Sequence, residues 1–136
     1  MAVSGTDGTA GAARIRSGFE TARADGRIAL VPYVVAGYPD PATSLRAGLA
    51  AIEAGADLLE VGLPFSDPLA DGPTLQRASA AALRAGASFD SALGLLEALA
   101  RHRPTVPLVP MGYANQLLGG GRPFERIRRL AEAGAS

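Results

Sequence analysis

An α/β fold of βα units around a parallel sheet is the architecture this 136-residue sequence predicts. Three observations predict it. Short apolar runs at 28–37, 57–62 and 106–112 are separated by longer segments with helical periodicity. The first run, IALVPYVVAG, lacks the polar alternation of a half-exposed strand, as expected of a strand buried on both faces. The phrase EAGA, which at 53–56 leads from a helix straight into DLLEVG, returns at 132–135. Strands that alternate with helices in this way form βα units.

The elements follow in order. Residues 1–12 read as a flexible polar tail and 13–136 as the folded portion. Ile15, Phe19 and Ala22 recur at helical spacing and predict a lead-in helix that ends at Gly26. After the first strand, Asp40-Pro41 supplies an N-cap followed by proline at the first helical position. Leu45, Leu49 and Ile52 form the buried stripe of that helix, and Gly55 stops it. The second strand, 57–62, is followed by a long loop; Pro73 opens a helix that runs to Gly86. Ser88 caps the next helix, with Phe89, Leu93, Leu96 and Ala100 on one face and Arg101, His102 and Arg103 where the helix dipole favours cations. Residues 106–112 form a third strand, and Pro123 starts a last helix with Phe124, Ile127 and Leu130 facing inward. Pro32, Pro107 and Pro110 forfeit ladder donors, so the outer strands are expected to be irregular.

Composition narrows the function classes. With 48% hydrophobic and 19% charged residues the chain is globular rather than disordered. Thirteen basic residues balance 13 acidic ones, which gives no electrostatic reason to invoke nucleic acid or an anionic membrane. No cysteine is present, which excludes disulfides and thiolate metal sites, and the single histidine, His102, cannot build a multi-histidine metal site. No apolar run approaches the roughly 18–20 residues of a membrane span, and the N-terminus lacks the apolar segment of a signal peptide. A cytoplasmic setting is expected.

Length sets the main puzzle. By the pattern of the first EAGA, a fourth strand should begin at 136, where the sequence stops. A closed barrel of eight βα units needs about 250 residues. The chain therefore reads as the front half of a barrel or as a small open α/β sheet. A half barrel would expose two strand edges and an apolar face.

The segment LLEVGLPFSDPLADGP, 58–73, carries the candidate chemistry. Alternation along the strand puts Leu58, Glu60 and Gly62 on one side and Leu59 and Val61 on the other. The bulky apolar pair suits the helix-covered side, which points Glu60 toward a barrel interior near the C-terminal strand end, where barrel enzymes do their chemistry. Burial there disfavours the charged form and fits a general acid or base; the competing reading is a structural carboxylate paired with an arginine or a backbone donor. The loop that follows is stiffened by proline and is long for a βα connection, a feature of functional loops. Asp67, in Ser66-Asp67-Pro68, also fits turn chemistry, and Asp71 also fits a cap for the next helix. Tyr33 and Tyr113 either line a pocket or pack in the core. Asn115 fits a turn. Gly119-Gly120-Gly121 lacks the Lys-Ser/Thr of a phosphate loop and reads as a connection. Arg122, Arg126, Arg128 and Arg129 read as a solvated helix face, and His102 as a surface residue.

In their order and spacing, LVPYVVAGYPD, EAGADLLEVGLPFSDPLADGPTLQ and VPLVPMGYAN resemble the alpha chain family of tryptophan synthase, over about residues 13–136. The resemblance implies a (β/α)8 TIM barrel, present here as a truncated half barrel with about three parallel strands. It implies retro-aldol cleavage of indole-3-glycerol phosphate to indole and glyceraldehyde 3-phosphate, in tryptophan biosynthesis. On this resemblance Glu60 matches the acid-base glutamate, and Asp71 the carboxylate that accepts the indole N–H. Tyr33 and Tyr113 match the walls of the indole pocket. Asp67, Pro68 and Asn115 match surfaces that meet a beta chain in an alpha2-beta2 heterotetramer, and the pyridoxal phosphate of the pair belongs to that beta chain; this chain is expected to hold no cofactor and no metal.

The sequence departs from the family at Tyr38, where aspartate is frequent, and in the loose Gly119–Gly121 stretch. In the family the substrate phosphate is held by segments after later strands, which these residues do not include. Little turnover is therefore expected of the 136-residue chain alone. The alternative is a non-catalytic fragment or module that docks on the beta chain.

Overall fold

The computed structural model describes residues 8–119, 121, 122 and 124–136. Its elements run α1 (Gly8–Ala24), β1 (Tyr33–Val35), α2 (Pro41–Glu53), β2 (Leu59–Gly62), α3 (Pro73–Arg84), α4 (Phe89–His102), β3 (Leu108–Met111), α5 (Ala114–Leu118) and α6 (Glu125–Glu132). The three strands form one parallel sheet in the order β1-β2-β3. The register places Tyr33 beside Glu60, and Glu60 beside Val109. Parallel neighbours point to the same face, so these three side chains share one side of the sheet.

The opposite side is the core. Leu59 and Val61 are fully buried and pack with Ile52 of α2, Leu95, Leu96 and Leu99 of α4, and Leu108 of β3. Gly48 lets α2 approach α4: a β-carbon there would lie 2.9 Å from Leu99 Cδ2. Full burial of each such leucine contributes about 1.5–3 kcal/mol before entropy is counted. A smaller cluster of Val35, Ala78 and Ala82 seats α3 against the end of β1.

The helix starts bear out their capping signals. Asp40 accepts from the Thr43 N–H ahead of Pro41, and Ser88 and Ser91 cap reciprocally. Gly55, Gly86 and Gly134 take positive φ immediately past helix ends, the left-handed stop that glycine adopts without strain.

Several expectations are corrected. The lead-in helix begins at Gly8, so residues 8–12 of the expected tail are helical. Arg14 fastens this helix by donating to the Pro104 carbonyl at 2.9 Å, and Gly11 packs against the backbone of Ser136. The first strand is three residues long. Residues 30 and 32 still accept bonds from the Asp57 and Glu60 N–H groups, but the Leu30 N–H is taken by the Asp57 carboxylate and Pro32 has none. Phe124 and Ile127 face outward rather than inward, and only Leu130 of that expected face is buried. Pro123, expected to open the last helix, lies outside the described residues, as does Gly120; α6 follows Phe124, which is in the left-handed region at φ 61.

Where a strand is expected after the second EAGA, the structure has one isolated parallel bridge rather than a strand. Ala135 bridges Leu108 in parallel, and the Ser136 N–H donates to the Leu108 carbonyl at 2.9 Å. Among the described residues no helix is long and apolar enough to cross a membrane.

Candidate functional site

On the face opposite the α2–α4 core, the C-terminal ends of the strands open into a cleft of about 790 Å³. Glu60 of β2 and Asp71 of the following loop line it, with Tyr33, Leu63, Leu75, Met111 and Tyr113 as its larger nonacidic walls. The strand alternation read from sequence is what delivers Glu60 here: its neighbours Leu59 and Val61 are drawn into the core, and it is left half-buried on the open face.

Neither the Glu60 nor the Asp71 carboxylate has a hydrogen-bond or ion-pair partner among the described residues. Among the described residues no arginine or backbone donor pairs with the Glu60 carboxylate. Asp71 does not cap α3: the N-cap is Gly72, with no side-chain cap bond. Tyr33 reports their combined field. Its phenol is raised above the usual value, first by burial and then by the negative charges of Asp71 and Glu60.

The loop that carries Asp71 is tied down on all sides. Its start is pinned by the buried Ser79 of α3, whose hydroxyl accepts from the Phe65 N–H at 2.8 Å and donates to the Phe65 carbonyl at 3.0 Å. Residues 68–71 close a turn through the Asp71 N–H to the Pro68 carbonyl at 3.1 Å. Inside that turn the Ala70 N–H donates to the Tyr113 hydroxyl at 2.9 Å, and the Tyr113 ring stacks on Phe65 with centroids 5.2 Å apart. Tyr113 is therefore both a wall of the cleft and a brace for the loop. Gln116 of α5 donates to the Pro64 carbonyl at 2.9 Å. The five-residue α5 was not legible as a helix in the sequence, yet it supplies this contact.

Asp67 and Asn115 are exposed, and Pro68 is half-buried. The Asp67 carbonyl accepts from Leu69 N–H, while its carboxylate forms no turn bond among the described residues. Asn115 sits in the first turn of α5. His102 is on the surface beside Glu53, as expected. Arg128 and Arg129 make surface ion pairs, but Arg126 does not simply face solvent: it donates to the Gln116 carbonyl and lies over the Phe89 ring.

No group of acidic and histidine side chains able to hold a metal occurs among the described residues. All 13 basic residues are arginine, so no lysine in these 136 residues can form the Schiff base that anchors pyridoxal phosphate.

Comparison with known proteins identifies the architecture. The family model described as tryptophan synthase alpha chain matches residues 19–136. The tryptophan synthase alpha chain of Roseiflexus sp. (strain RS-1) is 46% identical over 123 residues, covering 90% of this chain and 46% of its own length. That of Acidiphilium cryptum is 50% identical over 110 residues, covering 79% and 39%. Among solved structures, tryptophan synthase from M. tuberculosis in its aminoacrylate-bound form superposes with a TM-score of 0.81 at 41% identity, over 90% of this chain and 49% of that one. Tryptophan synthase subunit alpha from Legionella pneumophila gives 0.79 at 36% identity, over 90% and 47%. The chain thus spans about half the length of the relatives it matches, and its three parallel strands are part of a TIM-barrel architecture. This chain belongs to the tryptophan synthase alpha chain family.

Proposed function

We propose that these residues carry the acid-base and indole-recognition side of a lyase site that cleaves indole-3-glycerol phosphate. The observation that supports this most is the convergence of two carboxylates, Glu60 and Asp71, neither paired among the described residues, on one cleft walled by Tyr33 and Tyr113. In the reaction a proton is added at indole C3 and one is removed from the hydroxyl of the adjacent glycerol carbon. The bond between those carbons breaks, and its electrons return to the ring. Indole and glyceraldehyde 3-phosphate leave, with atoms and charge balanced. Glu60, at the strand end, moves these protons as a general acid and base. Asp71 accepts the indole N–H, and its charge stabilises the positive charge that develops on the ring.

Binding of 5-fluoroindole to the 136-residue chain, followed by 19F NMR, tests this reading. Weak saturable binding that falls at least tenfold in Asp71→Asn is expected; no binding by the wild-type chain would sink it. Turnover of indole-3-glycerol phosphate by these residues alone is expected to be very low. The family resemblance assigns the phosphate contacts to segments after later strands, and remote binding energy is what positions the reacting centre. Rapid indole release that disappears in Glu60→Gln would overturn that expectation.

The proposal extends to a partner. Asp67 and Asn115 are exposed and Pro68 opens the turn that carries Asp71, and we assign to these residues the docking of a tryptophan synthase beta chain, which would carry the pyridoxal phosphate. Titration of the chain into beta subunit should give a complex weakened by Asp67→Ala. Absence of any complex, and of any change in beta activity, would refute docking.

A further inference from the structure

We infer that Gln76 is a positioning residue for Asp71, holding the turn that aims its carboxylate into the cleft; this rests on the role proposed for Asp71. Gln76 lies in the first turn of α3, where its own N–H donates to the Gly72 carbonyl at 3.0 Å. Its side-chain amide turns back over the loop. Nε2 donates to the Asp71 carbonyl at 2.8 Å and lies 3.5 Å from the Pro68 carbonyl, so one NH2 group spans both ends of the turn.

The turn has three holds, each from a different source. The Asp71 N–H closes it onto Pro68, Tyr113 takes the Ala70 N–H from the β3 side, and Gln76 takes the Asp71 carbonyl from the α3 side. All three act on backbone. None engages the Asp71 carboxylate, which remains available to a ligand while the peptide groups on both sides of its α-carbon are held. Gly72 and Pro73 follow at once, and glycine alone would leave the Asp71 backbone loose where it meets the helix. The amide of Gln76 supplies the restraint that Gly72 lacks. A site held in this way presents its acceptor without ordering cost at the moment of binding.

The test uses Gln76→Met, which keeps the length and volume of the side chain and removes the donor. Loss of one such hydrogen bond should accelerate amide exchange at Ala70 and Asp71 about threefold to tenfold. The Leu59 and Val61 amides in the core strand should exchange at the wild-type rate, which shows that the fold is intact. Binding of 5-fluoroindole by 19F NMR should weaken in Gln76→Met. On an Asp71→Asn background, Gln76→Met should cause no further loss, because Gln76 acts only through Asp71. Unchanged exchange at Ala70 and Asp71 would overturn the inference, as would a loss of affinity that adds fully to that of Asp71→Asn. Failure of the role proposed for Asp71 is distinguishable. It appears as 5-fluoroindole binding indifferent to Asp71→Asn, while the exchange rates still decide whether Gln76 holds the turn.

Discussion

Tyr33 lies across Gly62 so closely that a β-carbon on the glycine would stand 1.9 Å from the phenolic oxygen and 2.5 Å from Cζ. The two residues occupy adjacent strands, and the absence of a side chain at 62 is what admits the ring to the cleft floor beside Glu60. Gly62→Ala should therefore displace Tyr33. The ring is 37% exposed and has room to swing outward, so the cost in urea denaturation is expected at the lower end for overpacking, about 1–2 kcal/mol. Tyr33→Ala in the same chain should abolish that cost. Tyr33→Phe should not, because the ring carbon stays within the clash. A double-mutant cycle that shows no coupling between 62 and 33 would contradict the geometry.

Asp57 and Arg27 give a pH dependence with a definite sign. The Asp57 carboxylate accepts from both guanidinium nitrogens, at 2.6 and 2.8 Å, and from the Leu30 N–H at 2.8 Å. The Arg27 bonds, then the Leu30 bond, lower its pKa to about 2, against about 3.9 in an unfolded chain. Between those values the unfolded state binds more protons, so stability rises with pH through this window. The clasp contributes fully above the unfolded value and is lost as pH falls toward the folded one. Asp57→Asn should lower the urea midpoint clearly at pH 7, and the deficit relative to wild type should shrink as the comparison is repeated down to pH 3. A deficit independent of pH would show that charge at Asp57 is not what matters.

The same clasp shows where sequence reading reached and where it stopped. Local signals were legible: Asp40-Pro41, Ser88 and the glycines past helix ends act within a few residues, and strand alternation was enough to turn Glu60 away from the core. The boundary of β1 was not, because the Leu30 N–H is claimed by a carboxylate 27 positions away. The start of α1 was hidden for the same reason. Its holds are the Pro104 carbonyl and the backbone of Ser136, at the far end of the chain. Asp71 illustrates the limit at the site. A carboxylate just before Gly-Pro fits a helix cap in sequence, and only the three-dimensional course of the backbone, with Gly72 at the N-cap position, shows that Asp71 does not cap α3.

Ser88 offers a local test of stability. Its hydroxyl accepts from the Ser91 N–H at 3.1 Å, and the Ser91 hydroxyl accepts from the Ser88 N–H at 2.8 Å. These bonds satisfy two donors at the start of α4, the helix that contributes Leu95, Leu96 and Leu99 to the core. Ser88→Ala should cost about 1 kcal/mol in urea denaturation. Ser88→Asp, which keeps a cap acceptor and places negative charge at the helix N-terminus, should restore most of it.

Ser79 links the stability of α3 to the shape of the cleft. It is 6% exposed, and its single hydroxyl satisfies both the N–H and the carbonyl of Phe65. Ser79→Ala leaves both peptide groups without that partner in a half-buried setting, a cost of about 1–3 kcal/mol. The consequence should not stop at α3. Phe65 stacks on Tyr113, and Tyr113 holds Ala70, so a loosened Phe65 frees the ring that braces the Asp71 turn. Amide exchange should therefore rise first at Phe65 and then at Ala70, while Val61 in the core strand stays protected. Exchange that rises equally at all three would mean that Ser79 supports the whole fold rather than the loop, and would break the proposed chain from Ser79 through Phe65 and Tyr113 to Asp71.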